Sequence, residues 1–276
     1  MRVGFIGLGN MGGNQARLLA KSTTDVTVYD TSAQAMASFE GLAQLGQSVA
    51  AVGRVSDCVG VCVRDDQQVR GVLEGEIGLI AAMRPDSVIL IHSTVRPETV
   101  VDLAAQARVR GVIVIDASVT RTVMQGDGRF VLTMTGGDEA VTERVRPVLE
   151  AFSTEIIHVG ELGSAMVLKI CNNLVTWVQL LISQQCLKLA STGGVPLGKL
   201  LTVMKSNGAM TPSMAAFLDS PKHFKSKADW SAFMESQGRI GEKDMELAIS
   251  LGEGIGVALP TAIHAKERIR NAMTDL

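Results

Sequence analysis

The stretch that most constrains the fold lies at the amino terminus. Val3 to Ile6 reads as a short apolar strand, and Gly7, Gly9 and Gly12 follow it within the run Gly-Leu-Gly-Asn-Met-Gly. Gln15 to Lys21 continues as a helix, and Asp25 to Tyr29 reads as a second strand ending in Asp30. Each glycine answers a separate need. Gly7 permits the tight turn, Gly9 lets backbone approach a pyrophosphate, and Gly12 lets the helix lie close to the strand. The helix N-terminus then offers N–H groups and a partial positive charge to phosphates. An acid at the tip of the second strand accepts hydrogen bonds from ribose hydroxyls and repels a 2′-phosphate, so Asp30 predicts NAD rather than NADP. A glycine triplet alone fits any tight strand–helix turn; strand, glycines, helix, strand and acid in succession predict a dinucleotide site.

The chain continues in alternation. Ser32 to Leu45 is expected to be helical and Gly46 to Ala50 a short strand. Val59 to Val63 reads as a buried strand of the continuous apolar kind found in parallel sheets. Further helices are expected over Gln67 to Leu73, Glu98 to Arg110 and Glu139 to Phe152. Strands are expected over Val88 to Ile91, Val112 to Ile115, Phe130 to Thr135 and Thr154 to Val159, with Asp116 to Thr122 as a loop. This order predicts an open, doubly wound α/β sheet. Arg64 and Asp65 follow a strand end, where ligands of such sheets lie; a solvated loop and helix cap account for them equally well.

From Gly163 to Ala190 the pattern becomes helical and apolar on more than one face. A helix of about 28 residues spans roughly 42 Å, and this one predicts burial between layers or against a partner chain. Helices are then expected over Leu197 to Lys205, Ser213 to Leu218, Ile240 to Leu251, and from Leu259 or Pro260 to Met273. Pro221 to Gln237 reads as a less regular connection. The expected domains are 1–161 (dinucleotide-binding, Rossmann-type), 162–192 (interdomain helix) and 193–276 (all-helical).

Composition narrows the function classes. A chain of 276 residues suits one large domain or two moderate ones. Its formal net charge of −2 and lack of a basic stripe argue against a nucleic-acid partner. Cys58, Cys62, Cys171 and Cys186 form no CxxC pair and no Cys/His cluster, so no metal is expected and the thiols read as reduced. The first apolar run is strand-length and broken by glycines, unlike a signal peptide. The stretch Leu174 to Ile182 reads as too short and interrupted for a membrane span. A cytoplasmic chain without membrane attachment is expected.

Four segments carry a family resemblance. Gly4 to Gly12 resembles the opening of the β-hydroxyacid dehydrogenases, the group of 3-hydroxyisobutyrate, tartronate semialdehyde and 6-phosphogluconate enzymes. Ser93-Thr94 followed by Pro97 resembles that family's cofactor loop, Gly163 to Asn173 its catalytic helix, and Lys243 to Ala248 its lysine–aspartate segment. The resemblance runs in order through nearly the whole chain. It implies a Rossmann-type domain, a long interdomain helix, an all-helical second domain, and homodimers or homotetramers built through the helical domains. It also implies NAD(P)-dependent oxidation of a 3-hydroxy acid, or reduction of the corresponding semialdehyde.

Cofactor contacts are accordingly expected at Gly7, Gly9, Asn10, Met11, Gly12, Asp30, Val63, Arg64, Ser93, Thr94 and Lys243. Oxidising a hydroxyl requires removal of its proton, and a lysine kept neutral by its surroundings can accept it. Lys169 is the residue assigned to that role, and Asn173, one helical turn on, would orient it or bind substrate. Without the resemblance, Lys169 would read as an amphipathic-helix lysine reaching for solvent. Lys243 would reach toward nicotinamide or substrate, or pair with Asp244 or Glu246; Asp244 reads as a helix cap or brace. Gly163 would let the backbone pass close to substrate or cofactor. His92 reads as structural, and His158, His223 and His264 as isolated.

One segment departs from the family. Its substrate loop normally reads Asp-Ala-Pro-Val-Ser-Gly-Gly, and here Asp116-Ala-Ser-Val-Thr-Arg-Thr122 stands in its place. Ser118, Thr120, Arg121 and Thr122, with Lys169 and Asn173, are the expected substrate contacts. Arg121 would hold a second acidic group of the substrate bidentately, or else face solvent or pair with Asp127. Two other functions stay open: an imine reductase, a group that usually replaces the lysine and prefers NADP, and a catalytically silent NAD-binding sensor.

Overall fold

The computed structural model describes residues 1–23, 25–122, 125–219 and 224–274. Pro221 and His223, named above, lie outside the described residues. The chain forms two compact units, Met1–Lys169 and Ile170–Leu276, with the boundary inside one long helix.

The first unit alternates strand and helix from β1 (Val3–Ile6), α1 (Asn10–Ser22), β2 (Val26–Tyr29), α2 (Ala33–Ala37) and β3 (Gln44–Leu45) to α3 (Val49–Val55) and β4 (Cys58–Val61). It continues through α4 (Asp66–Leu73), α5 (Leu79–Ala82), β5 (Val88–Ile91), α6 (Pro97–Val109), β6 (Ile113–Arg121), β7 (Val131–Gly136), α7 (Glu139–Glu150) and β8 (Ser153–Gly160) into α8 (Ser164–Thr192). The eight strands form one sheet in the order β3-β2-β1-β4-β5-β6-β7-β8. Every neighbouring pair is parallel except β6 and β7. This is the expected doubly wound α/β sheet. Strand side chains alternate between faces, so Phe5 and Ile6 enter different cores. Phe5 packs with Ala16 and Leu19 of α1 and with Val145 and Leu149 of α7. Ile6 packs with Val69, Leu73, Leu103 and Met166.

Three expectations are corrected. The helix from Ser32 stops at Ala37, because buried Phe39 turns inward and Gly41 takes a left-handed φ of 74°. The next strand is only Gln44–Leu45, and Val49 already opens α3, capped by Ser48 accepting from the Ala51 N–H. The stretch Asp116 to Arg121 is strand rather than loop, paired antiparallel with β7 from Asp116 opposite Gly136 to Arg121 opposite Val131. Its polar residues, Asp116, Ser118 and Thr120, recur at every second position, which is strand periodicity.

The second unit holds the rest of α8 with α9 (Leu197–Ser206), α10 (Pro212–Asp219), α11 (Lys227–Ile255) and α12 (Pro260–Thr274). Trp177, Leu181, Met234, Met245 and Ile269 form its core. Helix α11 replaces the irregular connection expected up to Gln237. Ser226 caps it by accepting from the Asp229 N–H, and Gly256 ends it with a φ of 76°. A Cβ on Gly241 would lie 2.7 Å from Ile269 Cδ1, so close packing against α12 explains the glycine within this helix. Helix α8 also differs from expectation: by length and composition it could cross a membrane, with a mean hydropathy of 1.5 over a window that is 33% buried in the protein.

Candidate active site

The glycine turn separates glycines the fold requires from one it does not. Gly7 has a φ of 93°, and a Cβ there would lie 2.3 Å from the Cys62 carbonyl oxygen. A Cβ on Gly12 would lie 2.1 Å from the Gly7 carbonyl oxygen and 3.1 Å from the Phe5 ring. Gly9 is different: its φ of −65° suits any residue, and a Cβ would meet nothing within 4 Å. It is also the N-cap of α1, without a side-chain cap, and the first turn, with Asn10 and Met11, contains no acid. A helix start left open and free of negative charge fits a phosphate group, so the turn fits the dinucleotide expected there.

Asp30 closes one flank. Its carboxylate accepts from the Leu8 N–H at 2.6 Å and the Ser32 N–H at 2.7 Å, tying the end of β2 to the glycine turn. At the neighbouring strand end, the Val63 N–H donates to Ser93 Oγ at 2.8 Å, so Ser93, buried, joins the ends of β4 and β5. Thr94 beside it is half-buried. Arg64 reaches outward, its side chain 72% exposed and paired with Asp65 at 2.8 Å; Asp65 caps α4. His92 is sandwiched between Phe5 and Phe152, and its Nδ1 lies 2.6 Å from the Ala117 carbonyl. Burial lowers its pKa to about 4, so the ring is neutral and structural at ordinary pH, as expected.

The first turn of α8 is pinned to β6 by two side chains that alternate along the strand. Asp116, fully buried, accepts from the Gly163 and Met166 N–H groups, both at 3.0 Å. Ser118 donates to the Ala165 carbonyl at 2.9 Å. Burial raises the Asp116 pKa, while the hydrogen bonds from Gly163 and Met166 pull it down. Gly136 opposite must lack a side chain, since a Cβ would lie 2.5 Å from Asp116 Oδ1. Gly163, with a φ of 90°, forms the turn that delivers its N–H to Asp116.

Lys169 follows within one turn of this anchor and is 8% exposed. Burial pushes the Cys62 thiol up to about 12, against the opposing influence of Lys169 and of a hydrogen bond from the Gly12 backbone. Lys169 is thus near enough to act electrostatically on Cys62, the residue that follows β4 and backs the glycine turn.

The expected substrate contacts divide. Ser118 is buried and engaged by α8, so its observed task is to hold the helix. Thr120 is half-buried on the same strand face. Thr122 bonds to Thr154 Oγ1 at 3.2 Å. Arg121 is exposed and lies against Met11 Sδ at 3.6 Å. Asp127 pairs with Arg129 instead, at 2.8 Å.

In the second unit one acid gathers the remaining residues. Asp244, 3% exposed, accepts from Asn173 Nδ2 at 2.8 Å and Trp177 Nε1 at 2.9 Å, and Lys243 Nζ lies 3.0 Å from its other oxygen. It sits mid-helix in α11, so it joins that helix to α8 rather than capping it. Asp116 is the residue whose importance the sequence reading missed, whereas Asp244, read there as a cap or brace, is a brace. Asp244 shares a helical stripe with Gly241, Met245 and Ala248, a spacing that marks the buried face. Among the described residues no cluster of metal-ligating side chains occurs.

Comparison with known proteins agrees with this architecture. A family model described as the NAD binding domain of 6-phosphogluconate dehydrogenase matches residues 2–160. An uncharacterised oxidoreductase of Mycobacterium tuberculosis is 31% identical over 97% of this chain and 92% of its own length. A 3-hydroxyisobutyrate dehydrogenase of Pseudomonas aeruginosa is 27% identical over 96% of this chain and 89% of its own. A solved 3-hydroxyisobutyrate dehydrogenase of M. tuberculosis, with L-serine, shares the fold at a TM-score of 0.82, with 24% identity over 99% of this chain and 94% of that one. An imine reductase of Myxococcus stipitatus shares it at 0.70, with 21% identity over 100% and 95%. The chain belongs to the β-hydroxyacid dehydrogenase family, oxidoreductases whose NAD-binding domain it carries at its amino-terminal end.

Proposed function

We propose that the protein oxidises a 3-hydroxy acid with NAD, or reduces the corresponding semialdehyde with NADH, and that Lys169 is the general acid–base. The observation that carries this reading is the buried Lys169, set on a helix start clamped by Asp116 and Ser118. Bound nicotinamide supplies the hydride acceptor. Lys169 takes the hydroxyl proton as the carbonyl forms and returns it in the reverse direction. Asn173, held by Asp244, presents its amide to substrate, and Lys243, anchored by the same acid, serves the cofactor. Thr120 supplies a hydroxyl to the substrate carboxylate.

Asp30 supports NAD over NADP. Its carboxylate is fixed by two backbone donors, and Thr31 and Ser32 after it bring no arginine for a 2′-phosphate. Turnover of a 3-hydroxy acid panel with each coenzyme tests both statements. NAD is expected to exceed NADP in kcat/KM by about tenfold, the cost of one unfavourable charge contact. Activity confined to cyclic imines with NADPH would replace this reading with an imine reductase. Tight NADH binding without turnover would replace it with the silent sensor.

The working form is proposed to be a homo-oligomer built along α8. Leu168, Cys171, Val175, Ile182 and Leu189 are exposed on that helix at steps of three, four and seven residues, which place them on one face. A second copy would cover that stripe. Light scattering is expected to give a dimer or tetramer for the wild type and monomer for a V175E/I182E double variant. A monomeric wild type would dismiss the idea.

A further inference from the structure

Arg121 occupies a place that its expected role does not explain. Alternation along β6 sends Ile115, Ala117 and Val119 into the core shared with α1, and Asp116 and Ser118 toward α8. Arg121 continues the first set. Its guanidinium lies against Met11 Sδ at 3.6 Å and over the Phe130 ring at 6.0 Å, so two apolar groups brace it beside the first turn of α1. Among the described residues no carboxylate pairs with it, and Asp127 belongs to Arg129. Thr120, not Arg121, lies on the strand face shared with the residues that hold the Lys169 helix.

We propose that Arg121 is a ligand of the cofactor's pyrophosphate rather than of the substrate. The assignment rests on the dinucleotide reading of the glycine turn. That turn, Gly7 to Gly12, carries no charged side chain, and a helix N-terminus contributes only about half a unit charge. A guanidinium supplies a full charge and a planar fork of donors matched to phosphate oxygens. Resting on Met11, it stands beside the first turn of α1, the helix whose N-cap is Gly9.

NADH titration by fluorescence, with competition by ADP-ribose and adenosine, tests the assignment in wild type, R121Q, R121K and the control R129Q. R121Q is expected to weaken NADH and ADP-ribose by about tenfold, the scale of one charge-assisted hydrogen bond, and to leave adenosine, which has no phosphate, unaffected. R121K should recover part of the loss, because it restores charge but not the fork. Rising salt should cost the wild type more affinity than R121Q. R129Q should bind as wild type does. Unchanged NADH and ADP-ribose affinities in R121Q, or an effect confined to the KM of the acid, would overturn the proposal. A wild-type protein that binds no nicotinamide dinucleotide would overturn it together with the cofactor reading, and the two failures are told apart by which protein fails.

Discussion

Replacing Lys169 with alanine is expected to lower kcat by about 10²- to 10⁴-fold, the range over which a positioned acid–base group acts. The affinity for NADH should change little, because the dinucleotide is read by the glycine turn and Asp30. The informative companion is K169R. Arginine keeps the positive charge but does not give up its proton under working conditions, so it can steady an anion yet cannot accept a proton from a hydroxyl. If Lys169 acts only by charge, K169R should retain much of the rate. If it carries the proton, K169R should be as slow as K169A. K169M separates chemistry from packing, since methionine fills most of the buried space that the 8% exposed lysine occupies. Full activity in K169A would end the proposed mechanism.

The second large effect is a contrast between two glycines three residues apart. G12A should destabilise the protein by about 1–3 kcal/mol, the usual cost of forcing atoms into a packed site, because its Cβ would lie 2.1 Å from the Gly7 carbonyl oxygen. G9A should leave stability within about 1 kcal/mol of wild type. Its backbone suits alanine, which gains through the unfolded chain, while alanine is a poorer N-cap than glycine. Yet G9A should bind NADH at least about tenfold more weakly, as a methyl fills the space intended for phosphate and forfeits a charge-assisted contact. Thermal melting and NADH titration on both variants decide the matter. Normal cofactor binding by G9A would mean that the open space is not the phosphate site.

Elements with strong local signals were legible from the sequence. The β1–α1–β2 unit, the buried strands β4 and β5, and the long apolar helix all stand where periodicity and glycine spacing put them. The misread parts share a cause, which is that tertiary contacts overrode local pattern. Buried Phe39 ends α2 early, and antiparallel pairing to β7 makes strand of a segment read as loop. In the candidate site, Lys169 and Asn173 were legible through the family resemblance, and their spacing alone shows only that they share a helix face. Asp116 was not, because its value lies in the N–H groups of residues 163 and 166, far along the chain. Arg121 was visible as an anomaly, but only strand parity shows which helix it faces.

That parity has a consequence for how this segment tolerates change. Odd and even positions of β6 serve different helices, so deleting one residue between Asp116 and Arg121 would rotate everything beyond the cut by half a turn. The guanidinium would then move to the lysine side and a hydroxyl to the phosphate side, with every side chain still present in the chain. Loss of two residues would preserve sidedness and shorten only reach. In this strand, a change of length by one residue is expected to misplace more side chains than any single substitution does.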